Sequence, residues 1–421
     1  MEKHSKINLI SAIILVGFAL AVFFHYFMGA YLHFSFPYNT FLFTPNAKFT
    51  DFFDSIQTVK NLTPYVEPSS YFPFSYVLLY GVFLISKIKT IQFIIVMLPF
   101  ILFLTYFNYK YLKTENSEKI SLFKNVFIFS FLSYPFIFVI DRGNIESFVF
   151  IFIAMFFYFY LKKDYMKSII FLSFAAAMKM YPAIFLLLLL KDKKYREIVY
   201  AVGLTFALTL TSLLIFNGGL YANVYGLFRG LYGYSRSYIL GDGLGMAYNS
   251  SLFGIVKLCI VSLGDIIPHY HFVIKVFATI FNFLSLILSG LMTLYILFVE
   301  KTLWKQVAIL TIIMILLMPV SYDYKLISLF IPLWLFINSE NKSKHDIVYA
   351  ICFGLLLIPK QYFFIPKQYL FIITSDISIS VFLNPLIMII MLILIIDEGL
   401  KKHKRVSPAL EENEKHCMIS S

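Results

Sequence analysis

Long apolar stretches alternate with short polar segments along the whole chain. Thirteen apolar stretches can be counted, near residues 7–32, 71–86, 90–109, 124–140, 145–161, 167–178, 181–190, 198–216, 270–299, 306–319, 326–337, 347–364 and 380–397. Most are far longer than the ~10 residues of a transmembrane barrel strand, and they lack its alternation. The pattern therefore predicts an all-α, polytopic transmembrane bundle of about 11–13 helices.

Composition agrees with a membrane protein, since 60% of the 421 residues are hydrophobic and only 14% are charged. The first stretch is longer than a signal-peptide core and has no small-residue cleavage site after it, so we expect a retained signal anchor. Residues 1–405 then form a single transmembrane domain, and the polar tail 406–421 is predicted to be disordered and cytoplasmic.

The net charge of +12 is an orientation signal because the basic residues are unevenly placed. Clusters at 3–6, 110–124, 162–167, 191–196, 301–305, 342–344 and 401–405 hold 21 Lys and Arg, whereas the intervening segments at 33–70, 141–144, 179, 217–250, 325 and 359–370 hold 9. By the positive-inside rule both termini are cytoplasmic. The basic groups are then partners for anionic lipids, not for nucleic acid.

Two cytoplasmic termini require an even number of crossings, so one of the thirteen stretches does not cross. The short stretch 71–86 is the favoured exception, because it opens with Tyr71-Phe72-Pro73. A further apolar segment, 251–265, is expected to be a non-spanning helix on the outer side.

The region 162–196 is predicted to turn back on itself. Basic clusters at both ends place both ends in the cytoplasm, and Pro182 near the midpoint ends one helix or begins the next. Lys179 then lies at the tip of the hairpin, where an ammonium group is costly unless it meets an anion.

The outer segments collect polar residues with a shared chemical use. They include Asp51 and Asp54 in the first extracytoplasmic loop 33–70, Asp141 to Asn144 with Glu146, Lys179, then Arg229, Arg236 and Asp242 in a lid-like loop 217–250, Asn249-Ser250, and Ser321 to Lys325. A carboxylate can act as general base toward a sugar hydroxyl, and cations can hold a leaving phosphate. Nucleotide-binding and zinc motifs are absent from the sequence, and three cysteines and eight histidines show no ligand spacing.

The order of these segments resembles the C-type (GT-C) membrane glycosyltransferases, and most closely glycosyltransferase family 87. The resemblance covers roughly residues 5–340 and is carried by Asp51-Phe52, Pro64-Tyr65, Tyr71 to Pro73, Arg142-Gly143-Asn144, Lys179 to Pro182, Asn249 to Ser251 and Ser321 to Tyr324. It implies an inverting transfer from a polyprenyl-phosphate sugar, usually of mannose, glucose or arabinose. Phe72 where Pro is commoner, and Asn144 where Gln is frequent, blur the subfamily.

The resemblance also implies site residues. Asp51 matches the catalytic acid of the first extracytoplasmic loop. The donor phosphate is assigned to four cations, Lys179, Arg142, Arg229 and Arg236, and substrate contacts to Asp54, Asn144, Asn249, Tyr322, Asp323 and Tyr324. No cofactor is expected; a divalent metal remains open, although no Asp-x-Asp pair lies outside. The partners are then the lipid-linked donor, a glycan or glycolipid acceptor and membrane lipids, at a bacterial inner membrane.

Simpler interpretations stand beside these assignments. Asp51 can cap the helix that begins near Phe52, with Asp54 as a neighbour one turn later. Arg142 can pair locally with Asp141, and Asp323 with Lys325. Tyr322 and Tyr324 can belong to an interfacial aromatic belt, while Arg229 and Arg236 can bind lipid headgroups.

Two other classes of protein remain open. A transporter or lipid flippase also needs many helices and buried charge, although transporters commonly show inverted repeats and none is visible here. A membrane acyltransferase would need a nucleophile or a His-Asp pair at the site, and the outer loops offer only His33, His269 and His271.

Overall fold

The fold is known from a computed structural model of the chain. It describes the backbone of residues 1–421 except 37, 43–46, 67–70, 116–117, 242, 265, 268, 362–363, 366–376 and 420–421, and side chains except also 364–365 and 404–419. Asp242 and the tail 406–421 thus lie outside the described side chains, and the disorder predicted for the tail stays a prediction. The backbone of the last helix runs to Ile419.

Helices make up nearly all of the described regular structure. The α-helices are α1 Lys3–Tyr26, α2 Thr50–Val59, α3 Pro73–Ile85, α4 Lys89–Leu112, α5 Lys119–Phe131, α6 Tyr134–Arg142, α7 Glu146–Leu161, α8 Tyr165–Met178, α9 Leu186–Lys191, α10 Tyr195–Ile215, α11 Gly219–Tyr234, α12 Leu252–Ser262, α13 Tyr270–Phe298, α14 Leu303–Leu316, α15 Phe330–Ile337, α16 Asp346–Leu357 and α17 Ser380–Ile419. Short 3₁₀ or π segments are Phe27–Tyr31, Tyr181–Phe185, Ser235–Leu240 and Asp323–Leu329. Two paired two-residue strands, β1 Phe364–Ile365 and β2 Ile377–Ser378, complete the list.

The predicted all-α transmembrane bundle is confirmed. Each of the thirteen apolar stretches contains a helix. Among the described residues, five helices are long and apolar enough to cross a membrane: 3–31, 89–112, 195–215, 270–298 and 380–403. A sixth candidate is the pair α5 and α6, bent by 47° where Pro135 opens the second helix. Whether 71–86 crosses stays a prediction.

Burial divides the helices into a central group and a lipid-facing group. Helix α14 is buried on nearly every side, as expected for a helix that is apolar all round. Helices α10 and α13 instead expose most of their apolar side chains, which suits contact with lipid. The chain is thus a multi-pass membrane protein with a packed interior.

The predicted hairpin at 162–196 is present. Helix α8 ends at Met178, and Pro182 opens the 3₁₀ segment that leads into α9. The two ends of the hairpin meet, because the hydroxyls of Tyr160 and Tyr165 donate to the Asp192 carboxylate at 2.8 and 3.5 Å. Lys179 therefore lies at the tip, away from this junction.

Residues 217–250 differ from the predicted loop. The segment is mostly helical, with α11 followed by the π segment 235–240. Asn223 fastens α11 to the end of α10 by donating to the carbonyls of Leu213 and Phe216 at 2.9 and 3.0 Å. Apolar residues spaced for a helix face explain why the segment folds, although its glycines favoured a loop interpretation.

Candidate active site

Asp51 lies in the first turn of α2, and its side chain points to the neighbouring segment. Asp51 is only 19% exposed, and its carboxylate accepts hydrogen bonds from Arg142 and from Asn144, the latter at 2.6 Å from Nδ2 to Oδ2. The residue at the N-cap is Phe49, in the left-handed region with φ 56°. The helix-capping interpretation of Asp51 is therefore wrong.

The turn 142–144 presents both partners of Asp51. Helix α6 ends at Arg142, and Gly143 follows with φ +61°, a conformation that glycine adopts at little cost. The reversal aims the Arg142 guanidinium and the Asn144 amide at one carboxylate. Arg142 also donates to the carbonyl of Ala47 at 2.7 Å, which holds the segment before α2 against the turn.

A second ion pair lies beside the first and is connected to it through Asn144. Lys179 at the hairpin tip donates to the fully buried Glu146 carboxylate at 2.7 Å, and the hydroxyl of Tyr181 donates to the other oxygen of the same group. The Asn144 side-chain oxygen accepts from the Glu146 backbone at 3.0 Å and from Lys179 at 3.4 Å. One amide therefore links Asp51 to Lys179.

Lys325 lies near this pair and does not bind Asp323. Its ammonium group is 4.9 Å from the centre of the Tyr181 ring and donates to the carbonyl of Val320 at 3.3 Å. Asp323 is fully buried and accepts from other groups: Tyr134 at 3.0 Å, Ser250 at 2.6 Å, Gln361 at 2.9 Å and Asn384 at 3.4 Å. The interpretation of an Asp323–Lys325 pair is wrong, because the two side chains point to different partners.

Asn249 and Asp323 hold the segment that carries the site's tyrosines. Asn249 is fully buried and its amide is used by backbone groups, donating to Gly245 and Pro319 and accepting from Ser251 and Ser321. Its backbone also pairs with Tyr322 in an isolated bridge. The geometry gives both residues a supporting position, and contact with substrate stays a prediction for them.

Aromatic rings form one wall of the site. The ammonium group of Lys179 lies 5.1 Å from the Tyr324 ring centre and 5.8 Å from that of Tyr71. Tyr322 follows at 5.8 Å from Tyr324, and Tyr238 at 6.5 Å from Tyr322. Burial, and then the nearby Asp51 carboxylate, raise the pKa of Tyr71 well above its ordinary value, so its hydroxyl is neutral at physiological pH.

Three predicted site residues lie outside this arrangement. Asp54 is exposed, and only its backbone carbonyl has a described contact. Arg229 is exposed and donates to the carbonyl of Val66 at 2.7 Å, and Arg236 is exposed on the π segment 235–240. Any part they take in binding substrate stays a prediction.

The sequence did not single out Glu146, Tyr181 or Lys325 as a cluster. Glu146 lies two residues beyond Asn144, and an acid at the start of an apolar helix is a signal that could have indicated it. Tyr181 follows Lys179 by two residues. Over the described part of the chain, no group of three or more His, Cys, Asp or Glu residues is placed to hold a metal ion.

Comparison with known proteins gives one match. The model of glycosyltransferase family 87 matches residues 70–321, more than half of the chain. That range contains Arg142, Asn144 and Lys179, and it begins after Asp51. No curated protein and no solved structure matches.

Proposed function

The chain belongs to glycosyltransferase family 87, and from this membership we propose a specific reaction. The protein transfers a hexose from a polyprenyl-phosphate sugar to a glycan or glycolipid acceptor. The reaction takes place on the extracytoplasmic face of a bacterial inner membrane, with both termini in the cytoplasm, and it inverts the anomeric centre. The uneven distribution of Lys and Arg supports this orientation.

Asp51 acts as the general base. The observation that carries this role is the placement of its carboxylate between Arg142 and Asn144, with no part in capping its own helix. Two donors on one carboxylate fix its orientation, which is what proton abstraction from a bound hydroxyl requires. Asp51 takes the proton as the acceptor oxygen attacks the anomeric carbon.

Lys179 steadies the phosphate that leaves. It lies one amide away from Asp51 through Asn144, so a sugar bound between the two would have its attacked face toward the base and its phosphate toward the ammonium group. Arg142 already donates to Asp51 and to the carbonyl of Ala47, and its positive charge also helps to stabilise the leaving phosphate. Tyr71 and Tyr324 supply neutral walls.

The test is the variant Asp51→Asn, assayed for sugar transfer from a purified polyprenyl-phosphate sugar. Asn keeps the size and the contact with Arg142 but cannot accept the proton, so we expect a loss of about 100-fold or more in kcat. Glu340→Gln is the control, since Glu340 is an exposed acid to which no part in the site is assigned; it should retain full activity. Equal rates for the wild type and Asp51→Asn would refute the role.

A transport assay separates the proposal from its main rival. Proteoliposomes that contain the protein and a labelled lipid-linked sugar should form a glycan product that depends on Asp51. Movement of the label across the bilayer with no product would instead identify a transporter or flippase.

A further inference from the structure

Lys325 is a buried cation with too few partners. The residue is 7% exposed, and its ammonium group has three N–H donors. One described hydrogen bond uses them, to the carbonyl of Val320 at 3.3 Å, and the described residues offer Lys325 no ion pair. A buried charge in this state is costly, so a missing anion is the natural explanation.

A second ammonium group, that of Lys179, is connected through Glu146 to the tyrosine beside Lys325. The Glu146 carboxylate binds both Lys179 and the Tyr181 hydroxyl, and the ring of that tyrosine lies 4.9 Å from the Lys325 ammonium. Glu146 thus acts on both cations, as the ion-pair partner of Lys179 and as a nearby charge for Lys325. Glu146 neutralises Lys179 at 2.7 Å, which leaves the charge of Lys325 in excess.

We propose that Lys325 and Lys179 form a two-ammonium subsite for the donor phosphate, in which Lys325 binds the oxygen that becomes charged when the sugar leaves. The inference rests on the proposed function, since the phosphate is that of the lipid-linked donor. Lys325 is available for this role because its side chain is not paired with Asp323.

The charge balance of the reaction explains why a second cation is needed. The acceptor oxygen forms a bond to the anomeric carbon, its proton goes to Asp51, and the bond from the anomeric carbon to the phosphate oxygen breaks. The electron pair of that bond stays on the phosphate, which changes from a singly charged diester to a doubly charged monoester. A surplus ammonium group stabilises the second charge more than the first, and that difference accelerates the reaction.

The surroundings of Lys325 also set a pH dependence. Burial, and to a smaller extent the charge of Lys179, lower the pKa of Lys325 to about 8 against the opposing effect of Glu146. The charged form is therefore lost as pH rises through about 8 in the empty protein. Phosphate binding should weaken over the same range.

Direct binding tests the subsite without requiring turnover. Citronellyl phosphate, a short isoprenyl phosphate, is titrated into the detergent-solubilised protein, with citronellol as the uncharged analogue and inorganic phosphate as competitor. We expect Lys325→Met to weaken binding of citronellyl phosphate by about tenfold or more, with no change for citronellol. Lys60→Met, which removes an exposed Lys, is the control and should bind as the wild type does. Competition by inorganic phosphate would distinguish recognition of the phosphate alone from recognition of the lipid.

Lys325→Arg and the pH profile give a readout that a purely structural role would not change. Arginine stays charged at all accessible pH values, so its binding curve should be flat where the wild type loses affinity above pH about 8. In transfer assays Lys325→Met should raise KM for the donor or lower kcat while leaving KM for the acceptor unchanged. If Lys325→Met unfolds, the Lys325→Arg profile decides alone.

The possible failures are distinguishable. Wild-type affinity and pH profile in both Lys325 variants would overturn the subsite, while Asp51-dependent transfer would still support the proposed function. A wild-type protein that neither binds citronellyl phosphate nor transfers sugar would overturn both.

Discussion

Gly143 offers a way to disturb the candidate site without changing any charge. The turn it forms carries Arg142 on one side and Asn144 on the other, and both contact Asp51. An alanine Cβ at this position would lie 2.8 Å from the Cβ of Phe52 and 3.3 Å from Cε2 of Phe93. Gly143→Ala should therefore move the turn away from α2.

The expected cost can be worked from these contacts. The left-handed conformation at φ +61° costs an alanine about 1 kcal/mol more than a glycine. Overpacking against the two phenylalanines adds about 1–3 kcal/mol. We expect a loss of about 2–4 kcal/mol in stability. A shift of the turn by a few tenths of an ångström would lengthen the hydrogen bonds from Arg142 and Asn144 to Asp51. We therefore expect kcat to fall as well, by about tenfold.

The assay measures thermal unfolding in detergent and the initial rate of sugar transfer on the same preparations. Gly81→Ala is the control, since Gly81 lies in α3 and a Cβ there meets nothing within 4 Å. Alanine favours a helix interior by about 1 kcal/mol, so this control should be neutral or slightly stabilised. Wild-type stability and rate in Gly143→Ala would refute the geometry described for the turn.

Two further predictions concern regions away from the site. Lys305→Met leaves the buried Glu398 without its ion-pair partner and should destabilise the protein by about 3–5 kcal/mol. Thermal unfolding measures this loss, and activity per folded molecule should be retained. Unchanged stability would contradict the prediction. Tyr225 and Phe228 lie on the exposed face of α11, which begins where the candidate span α10 ends. The fluorescence of Tyr225→Trp should be quenched by lipids labelled near the headgroup, and quenching by aqueous iodide alone would argue against an interfacial helix.

The fold was predictable because the membrane allows few solutions. Apolar stretches of membrane length must be helical, and basic clusters on both sides of 162–196 required a turn near Pro182. Asp51, Arg142, Asn144 and Lys179 were also predictable as a group, since motifs in separate outer segments of one family converge on one site. The structure brings these four together.

The pairing of charges within the site could not be read from sequence spacing. Asp323 and Lys325 are two residues apart, yet one binds a buried polar network and the other lies over Tyr181. Side chains two residues apart on a tight helical segment point in different directions, so adjacency in sequence is a poor guide to pairing. Glu146 was visible only as an acid at a helix start, and its partner lies 33 residues away.

The two polar ends of the bundle differ in a way that bears on function. At the end that carries the N-terminus, three described ion pairs join buried or half-buried cations to carboxylates: the Met1 ammonium and Lys6 bind Asp346, and Lys305 binds Glu398. At the other end Lys179 is matched by Glu146, and the buried Lys257 and Lys360 each donate to two backbone carbonyls. Lys325 has one such hydrogen bond and no ion pair among the described residues. Because an unmatched buried charge lowers stability, a chain gains nothing structural from keeping it. The same end of the bundle holds the oriented carboxylate of Asp51. The phosphate of a lipid-linked sugar would supply the anion that Lys325 lacks, which explains why this lysine is kept there.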